Sequence, residues 1–407
     1  MTEESTGPVK DVETWLLSLA VHPSARGEEA LSLARALVDE LDNPQRAAPA
    51  VHIIGTAGKG AAASLLTDMI VRAGHSVATH VSPHVYDIRE RFTLDGEFPD
   101  DDALATALAT VRVATGRVLD EHGRPPTFFA ASAALSWVLG RDAGVDVFVT
   151  EAGIGGRLDA TAVHDRPDTV TVITNIGLDH TDVLGETVRE IAMEKVAVIS
   201  GRRDVILAPQ TYEEAREVVV AQSQQAGSRL VEVPAMGGWR ADAAATADQA
   251  MQTLVSRHGF ERARFRDAGW PPGRHEVREL AGRRLLLDGA HNPLKIAALI
   301  RDMNGEPAPS VAVVALGAGK DLAACGSELV SLGCPIVVTE FGGDDPPYSH
   351  AAKDVAAVLQ GLGADCVAEP NLPAATRRAL AATEEGDTIL VTGSFLILAD
   401  VVAAMAG

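Results

Sequence analysis

The chain has 407 residues, of which 46% are hydrophobic, and a formal net charge of −21. That length exceeds one ordinary core and predicts two or three domains. The charge argues against nucleic-acid and anionic-membrane partners, which require a basic face, so any anionic ligand must be met by a local basic site.

The first residues, Met1-Thr2-Glu3-Glu4-Ser5, are acidic and polar, and no stretch approaches the ~18 uninterrupted apolar residues of a membrane span, so a cytoplasmic chain is expected. After a helical pattern at 27–41, the apolar run at 51–54 predicts a strand. It leads into Gly55-Thr56-Ala57-Gly58-Lys59-Gly60 and a helix at 61–73. Strand, glycine turn, lysine and helix start, in that order, make a phosphate cradle. Glycines let main-chain N–H groups converge on an anion, the helix start adds its positive dipole end, and the lysine adds a mobile charge. The common phosphate-loop pattern is not matched, because Ile54 stands where it wants glycine and Gly60 where it wants Ser or Thr. A plain tight turn would also need glycines, but it gives no reason for a lysine at a helix start, where the dipole disfavours it. Gly55, Thr56, Gly58, Lys59 and Gly60 are therefore expected to hold a nucleoside triphosphate.

A strand at 77–80 ends in Ser82-Pro83-His84. Helices follow at 102–119 and 128–139, and a strand at 145–150 ends in Glu151 and the run Gly153, Gly155, Gly156, Arg157. A strand at 169–174 ends in Asn175-Ile176-Gly177-Leu178-Asp179-His180. Ligands of open parallel sheets sit beyond the carboxyl ends of the strands. Magnesium takes oxygen donors, one or two from protein with water and phosphate completing the shell, so Ser82, Glu151 and also His180 are candidates for one cation beside the phosphates. Each has a plain alternative: a capping serine, a solvated glutamate, a histidine bonded to a carbonyl. The glycines after Glu151 read either as close approach of the backbone to a ligand, with Arg157 as a nearby cation, or as packing. Lys195, on a helix predicted at 188–199, reads on its own as a surface lysine.

Strands at 204–208 and 229–233, with helices at 212–226 and 242–258, complete the first α/β run. The charged segment 262–274, carrying Trp270-Pro271-Pro272-Gly273, predicts a hinge and domains of 1–270 and 271–407. Beyond it the alternation restarts, with strands at 284–287, 311–316, 335–339 and 388–391 and helices at 293–303, 322–332, 351–362, 373–382 and 395–406. The fold class is α/β: a parallel-sheet, P-loop-type ATPase domain plus a smaller Rossmann-like C-terminal domain. In the second run Asp288-Gly289-Ala290-His291-Asn292-Pro293 is another strand-to-helix turn. Asn292 and Pro293 could simply start the helix, Asp288 could bind a ribose hydroxyl, and Arg274 a phosphate or base. Cys325, Cys334 and Cys366 fit neither a disulfide framework nor a zinc site and read as buried small hydrophobes.

In order, these turns resemble the folylpolyglutamate synthase and dihydrofolate synthase family within the Mur ligase group. The resemblance is carried by Leu41-Asp42-Asn43-Pro44-Gln45, the glycine loop, Ser82-Pro83-His84 with Arg89-Glu90-Arg91, residues 151–161, Gly177-Leu178-Asp179-His180-Thr181, Glu194-Lys195, Pro272-Gly273-Arg274, residues 288–293 and Val391-Thr392-Gly393-Ser394. It implies an ATP-dependent, ADP-forming ligase that phosphorylates a carboxylate and lets an amine attack the acyl phosphate, joining glutamate or another amino acid to a pteroate or folate. By resemblance Lys59, His180 and Lys195 lie at the chemistry. Ser82, Glu151 and His180 match magnesium positions, Lys195 matches a lysine carbamylated to bind a further cation, and Arg274, Asp288, His291 and Asn292 match nucleotide contacts. The partners expected are a small carboxylic acid and an amino acid, and the chain is expected to be a monomer. The family loop carries Asn and a hydroxyl residue where this chain has Ala57 and Ala61. The family's adenine-side His-Gln-x-x-Asn block is replaced by Gly238-Trp239-Arg240-Ala241-Asp242, and of its Met-Leu-x-Asp-Lys-Asp block only Lys320-Asp321 remains. Those departures leave two alternatives: a ligase of a non-folate acid in specialised metabolism, and a nucleotide-binding homologue without catalysis.

Overall fold

The computed structural model of the chain describes residues 7–20, 25–263, 270–342 and 348–406. They form two compact units. The first takes Met1–Gly177, Thr181–Gly237 and Ala241–Ala268, and the second takes Gly269–Gly407 together with the triplets Leu178–His180 and Gly238–Arg240.

The first unit is built on seven strands: β1 Ala50–Ile54, β2 Val77–His80, β3 Phe92–Leu94, β4 Val147–Glu151, β5 Val170–Ile173, β6 Asp204–Leu207 and β7 Arg229–Glu232. Their order is β3-β2-β4-β1-β5-β6-β7, and all pairs are parallel except the β2–β3 edge. β1, β2, β4, β5 and β6 are buried along their whole length, as a sheet covered on both faces requires. Helix Phe128–Ala143 is buried at every position from Ala130 to Gly140, which explains its alanine-rich sequence: small side chains let it lie inside the layer, with Trp137 and Phe148 at its centre. β1 is central, and its register sets Ile53 beside Glu151 of β4. The ends of β1 and β4 therefore open side by side.

The second unit has six strands: β8 Glu276–Leu280, β9 Arg283–Leu287, β10 Val311–Val314, β11 Ile336–Val338, β12 Cys366–Ala368 and β13 Thr388–Thr392. Their order is β12-β11-β10-β13-β9-β8, parallel except for the β8–β9 hairpin. A core of aliphatic residues around Leu286, Ala312, Val314, Ile336 and Leu390 separates the sheet from its helices.

Elements outside the expected set include the amphipathic helix Pro8–Ala20, which buries Val9, Val12, Leu16 and Leu19, the short helix Thr181–Leu184, and strands β3, β8 and β12. β8 reads Glu-Val-Arg-Glu-Leu and follows the Trp270-Pro271-Pro272-Gly273 segment, whose glycine is fixed by Glu276 accepting from its N–H at 2.7 Å. Part of the expected hinge, residues 264–269, lies outside the described residues. Of the cysteines Cys325 alone is fully buried, whereas Cys334 and Cys366, the latter opening β12, are half-buried against the edge of the core, which corrects the reading of all three as buried residues. Burial pushes the Cys325 thiol up to about 12 and that of Cys334 to about 11, so neither is a thiolate at neutral pH.

Candidate active site

The glycine loop crosses from β1 to helix Lys59–Arg72. Gly58 is the residue before that helix and has φ +90°, which a side chain would strain. The N–H groups of Thr56 and Ala57 both donate to the Asn175 carbonyl, at 2.9 and 3.0 Å, and the Thr56 hydroxyl bonds the Gly177 carbonyl at 3.1 Å. Thr56 is thus a latch between the ends of β1 and β5, and its amide, expected at the phosphate, is turned to protein. The first amides of the helix, those of Lys59, Gly60 and Ala61, have no carbonyl within the helix to accept them. The loop amides left open to an anion therefore lie at the helix start, from Lys59 onward, and not at Thr56 or Ala57.

Two lysines converge on the same carbonyl. Lys59 Nζ donates to Gly55 O at 3.2 Å and stands 3.8 Å from Glu151 Oε1, while Lys195 Nζ donates to Gly55 O at 3.0 Å. Lys195 is 4% exposed, so the reading of a surface lysine is wrong for this position. What brings it inward is Gly156, where a Cβ would run into the main chain of Lys195. Packing against a neighbouring backbone thus explains Gly156. Arg157 is half exposed and braces Glu28 at 2.8 Å and Glu194 at 3.1 Å, so the cation expected beside the ligand is spent between two helices.

Glu151, buried at the end of β4, accepts from the Ser82 amide at 3.0 Å through its second oxygen. Ser82 opens a compact loop, 82–91, whose backbone is gathered by Glu90: its carboxylate accepts from the N–H of Val85 and Tyr86 at 2.8 Å and of Asp87 at 3.1 Å. The loop closes where the Val81 N–H donates to Arg91 O at 3.1 Å. Arg91 is buried, donates from Nε to His84 Nδ1 at 2.8 Å and lies over the Phe128 ring at 4.9 Å. Burial brings the Arg91 guanidinium down to about 10 against the opposing pull of Glu151 and Glu90. Burial and the Arg91 charge lower His84 to about 4, so its ring is neutral near pH 7 and Nδ1 accepts.

Among the described residues no group of three or more His, Cys, Asp or Glu side chains is placed to hold a metal by itself. Glu151 supplies hard carboxylate oxygens at the end of β4, and the main chain of Ser82, at the end of the adjacent β2, is bonded to it; magnesium takes such oxygens with phosphate and water completing its shell.

His180 belongs to the second unit. It has φ +50°, and its Nε2 is 3.9 Å from Asp179 Oδ1. Asp179 is the centre of a cluster that reading the sequence for metal ligands passed over. Lys320 Nζ donates to its Oδ1 at 2.6 Å and Asn292 Nδ2 to its Oδ2 at 2.8 Å, with Lys295 Nζ at 3.6 Å and His291 Nε2 at 3.8 Å. Burial alone would raise this carboxyl, but His291, Lys295, His180 and Lys320 together hold it well below the usual carboxylate range. The retained Lys320-Asp321 pair was the available signal. Asn292 also caps helix Pro293–Asp302 by accepting from the Lys295 N–H, as the capping reading expected, while its amide nitrogen is committed to Asp179. Asp288 spends its oxygens on main-chain amides, Oδ1 on Ala290 and Oδ2 on His275, both at 2.8 Å, and burial raises it to about 6. It ties down the turn bearing Arg274, whose guanidinium lies 4.9 Å over the Phe395 ring.

Residues 273–395 match the family described as Mur ligase, glutamate ligase domain. Over 404 residues the chain is 32% identical to a probable bifunctional folylpolyglutamate synthase/dihydropteroate synthase of Halobacterium salinarum, covering 89% of this chain and 48% of that protein. It is 27% identical to the dihydrofolate synthase/folylpolyglutamate synthase of Escherichia coli, covering 98% of this chain and 96% of that one. The structure of Mycobacterium tuberculosis folylpolyglutamate synthase complexed with ADP and AMPPCP superposes with a TM-score of 0.81 at 25% identity, covering 98% of each chain. The chain spans about half the length of the haloarchaeal relatives it matches, 48% and 47%.

Proposed function

We propose that this chain, which belongs to the folylpolyglutamate synthase and dihydrofolate synthase family, is an ATP-dependent, ADP-forming ligase that joins glutamate or another amino acid to a pteroate or folate carboxylate. The observation that carries the reading is Lys59, 3.8 Å from Glu151 at the mouth of β1 and β4 with helix-start amides beside it. That is a fixed positive site for phosphate next to a hard oxygen donor. A free carboxylate is a poor electrophile. Its oxygen attacks the γ-phosphorus as ADP leaves, then the amine nitrogen attacks the acyl carbon as phosphate leaves and a proton is lost.

In this scheme Lys59 steadies the β and γ phosphates, and the loop at Gly58 with the amides of Lys59 and Gly60 holds the phosphate chain. Ser82 and Glu151 would hold magnesium, which when bound would supply charge neutralisation between two anions. Lys195, fixed at Gly55 O, would as a carbamate offer oxygens to a second cation. His180 is assigned beside the reacting groups, and Arg274, Asp288, His291 and Asn292 to the nucleotide. We further assign the chain to the cytoplasm as a monomer acting on small molecules. No helix of the described residues is long and apolar enough to cross a membrane.

Purified protein given ATP, magnesium, dihydropteroate or tetrahydrofolate and glutamate should release ADP only with both acid and amine present. ADP release indifferent to them overturns the reading. A second version keeps the reaction and changes the acid, and is favoured by Ala57 and Ala61, which leave the loop without the polar side chains of its relatives. Growth of a folate-ligase-deficient strain carrying this chain would reject it, and ATP binding without turnover for any acid and amine pair would favour the non-catalytic alternative.

A further inference from the structure

Arg91 is 8% exposed and carries a full charge, yet among the described residues no carboxylate stands within ion-pair distance of it. Its Nε is committed to His84 Nδ1 at 2.8 Å, and its flat face to Phe128 at 4.9 Å. The two terminal NH2 groups donate to no protein acceptor among the described residues, and neither is sealed from solvent. A guanidinium 8% exposed and without an anion is costly, because the solvent still reaching its Nη atoms repays only part of its desolvation. Such a group persists where a ligand repays it. Its planar fork, with Nε occupied and both Nη free, has the geometry for a bidentate bond to a carboxylate.

The surroundings narrow the ligand. Arg91 closes the loop that Ser82 opens, and Ser82 is bonded to Glu151, which faces Lys59. The nearest carboxylates in sequence are used elsewhere: Glu90 on three main-chain amides, Asp87 on Arg89. Phosphate already has the lysine and the helix-start amides. Resting on the ligase reading, we infer that Arg91 binds the carboxylate of the acid substrate, with His84 as the positioning residue that fixes the guanidinium plane.

The test is equilibrium binding of pteroate and of pteroamide, in which a neutral carboxamide replaces the carboxylate, to the full chain and to R91Q, R91K, H84A and H84N, with ADP affinity measured on each. Wild type should prefer the acid by tenfold or more, and R91Q should lose that preference while binding ADP as wild type does, which also shows that it is folded. R91K should keep a reduced preference. H84A should weaken acid binding severalfold, and H84N, whose amide oxygen can accept from Nε, should restore it; a merely structural histidine would not be rescued in this way. A preference retained in R91Q, absent from wild type, or accompanied by a loss of ADP rather than acid affinity overturns the assignment. An intact preference without ADP release from any acid and amine pair instead overturns the ligase reading and leaves Arg91 as a carboxylate anchor.

Discussion

Lys59 has two neighbours of different kinds, a main-chain carbonyl at 3.2 Å and the Glu151 carboxylate at 3.8 Å, so its ammonium is aimed by the protein before any phosphate arrives. Preorganised charge of this sort contributes most in the transition state, and removing one such donor costs roughly 10²–10³ in turnover. K59Q should therefore lower ADP formation by about 10²–10³-fold, with a smaller loss of ADP affinity, as steady-state and binding measurements on the same preparation would show. Gly156 is the complementary case. A Cβ there meets the Cα and carbonyl of Lys195, which are main chain and cannot swing aside. G156A should cost about 1–3 kcal/mol in urea unfolding and should also displace Lys195, so activity should fall beyond what the lost stability explains.

At the scale of elements, the turn after β5 and the turns after β9 and β10 are joined in the second unit through one carboxylate, Asp179, which holds Lys320 and Asn292 directly and has Lys295 and His291 close by. Replacing it by the neutral amide in D179N leaves the part-buried ammonium groups of Lys320 and Lys295 facing no charge and should cost up to about 3 kcal/mol. The acid-side sign follows from the depressed carboxyl. Its stabilisation is complete above the ordinary aspartate value of about 4 and is lost as pH falls below it, so the wild-type advantage over D179N should shrink in urea melts taken at decreasing pH. This cluster also marks where the sequence stops being readable. Strand-to-helix turns announce themselves through glycine, proline and apolar runs, and β1, β2, β4 and β5 lie within a few residues of where those signals put them. Partnership between turns depends on chain folding across 113 residues for Asn292 and 141 for Lys320, which no local pattern encodes. The same holds for β3 and β12, three residues each and made strands by the neighbour they pair with. Lys195 was invisible as a buried residue because its burial is set by a glycine 39 positions earlier.

For the whole molecule, pH acts through bases as well as acids. Inside the first unit His52 of β1, His80 of β2 and His164 are fully buried and bonded to hydroxyls: Thr161 at 2.7 Å, Ser132 at 3.3 Å and Thr150 at 3.1 Å. Burial lowers all three, with help from Arg91 at His80 and Arg203 at His164, to about 3 for those two and well below the ordinary value for His52. In the unfolded chain each takes a proton near pH 6.5. Between that value and the folded one the unfolded state binds more protons than the native state, so stability must decline as pH falls. The slope is about 1.4 kcal/mol per pH unit for each histidine, hence up to about 4 kcal/mol per unit for the three. Urea midpoints should hold steady above about pH 7 and drop steeply towards about pH 5, well before ordinary carboxylates titrate. H52Q, which keeps a hydrogen-bonding group for Thr161 but cannot ionise, should lower that slope by about 1.4 kcal/mol per pH unit, its own share beside those of the other depressed histidines, while costing stability at neutral pH. A midpoint that stays level across the interval would mean that these histidines are solvated or already charged in the native state, and that the layer beneath the candidate active site is wetter than the packing around Trp137 and Thr150 allows.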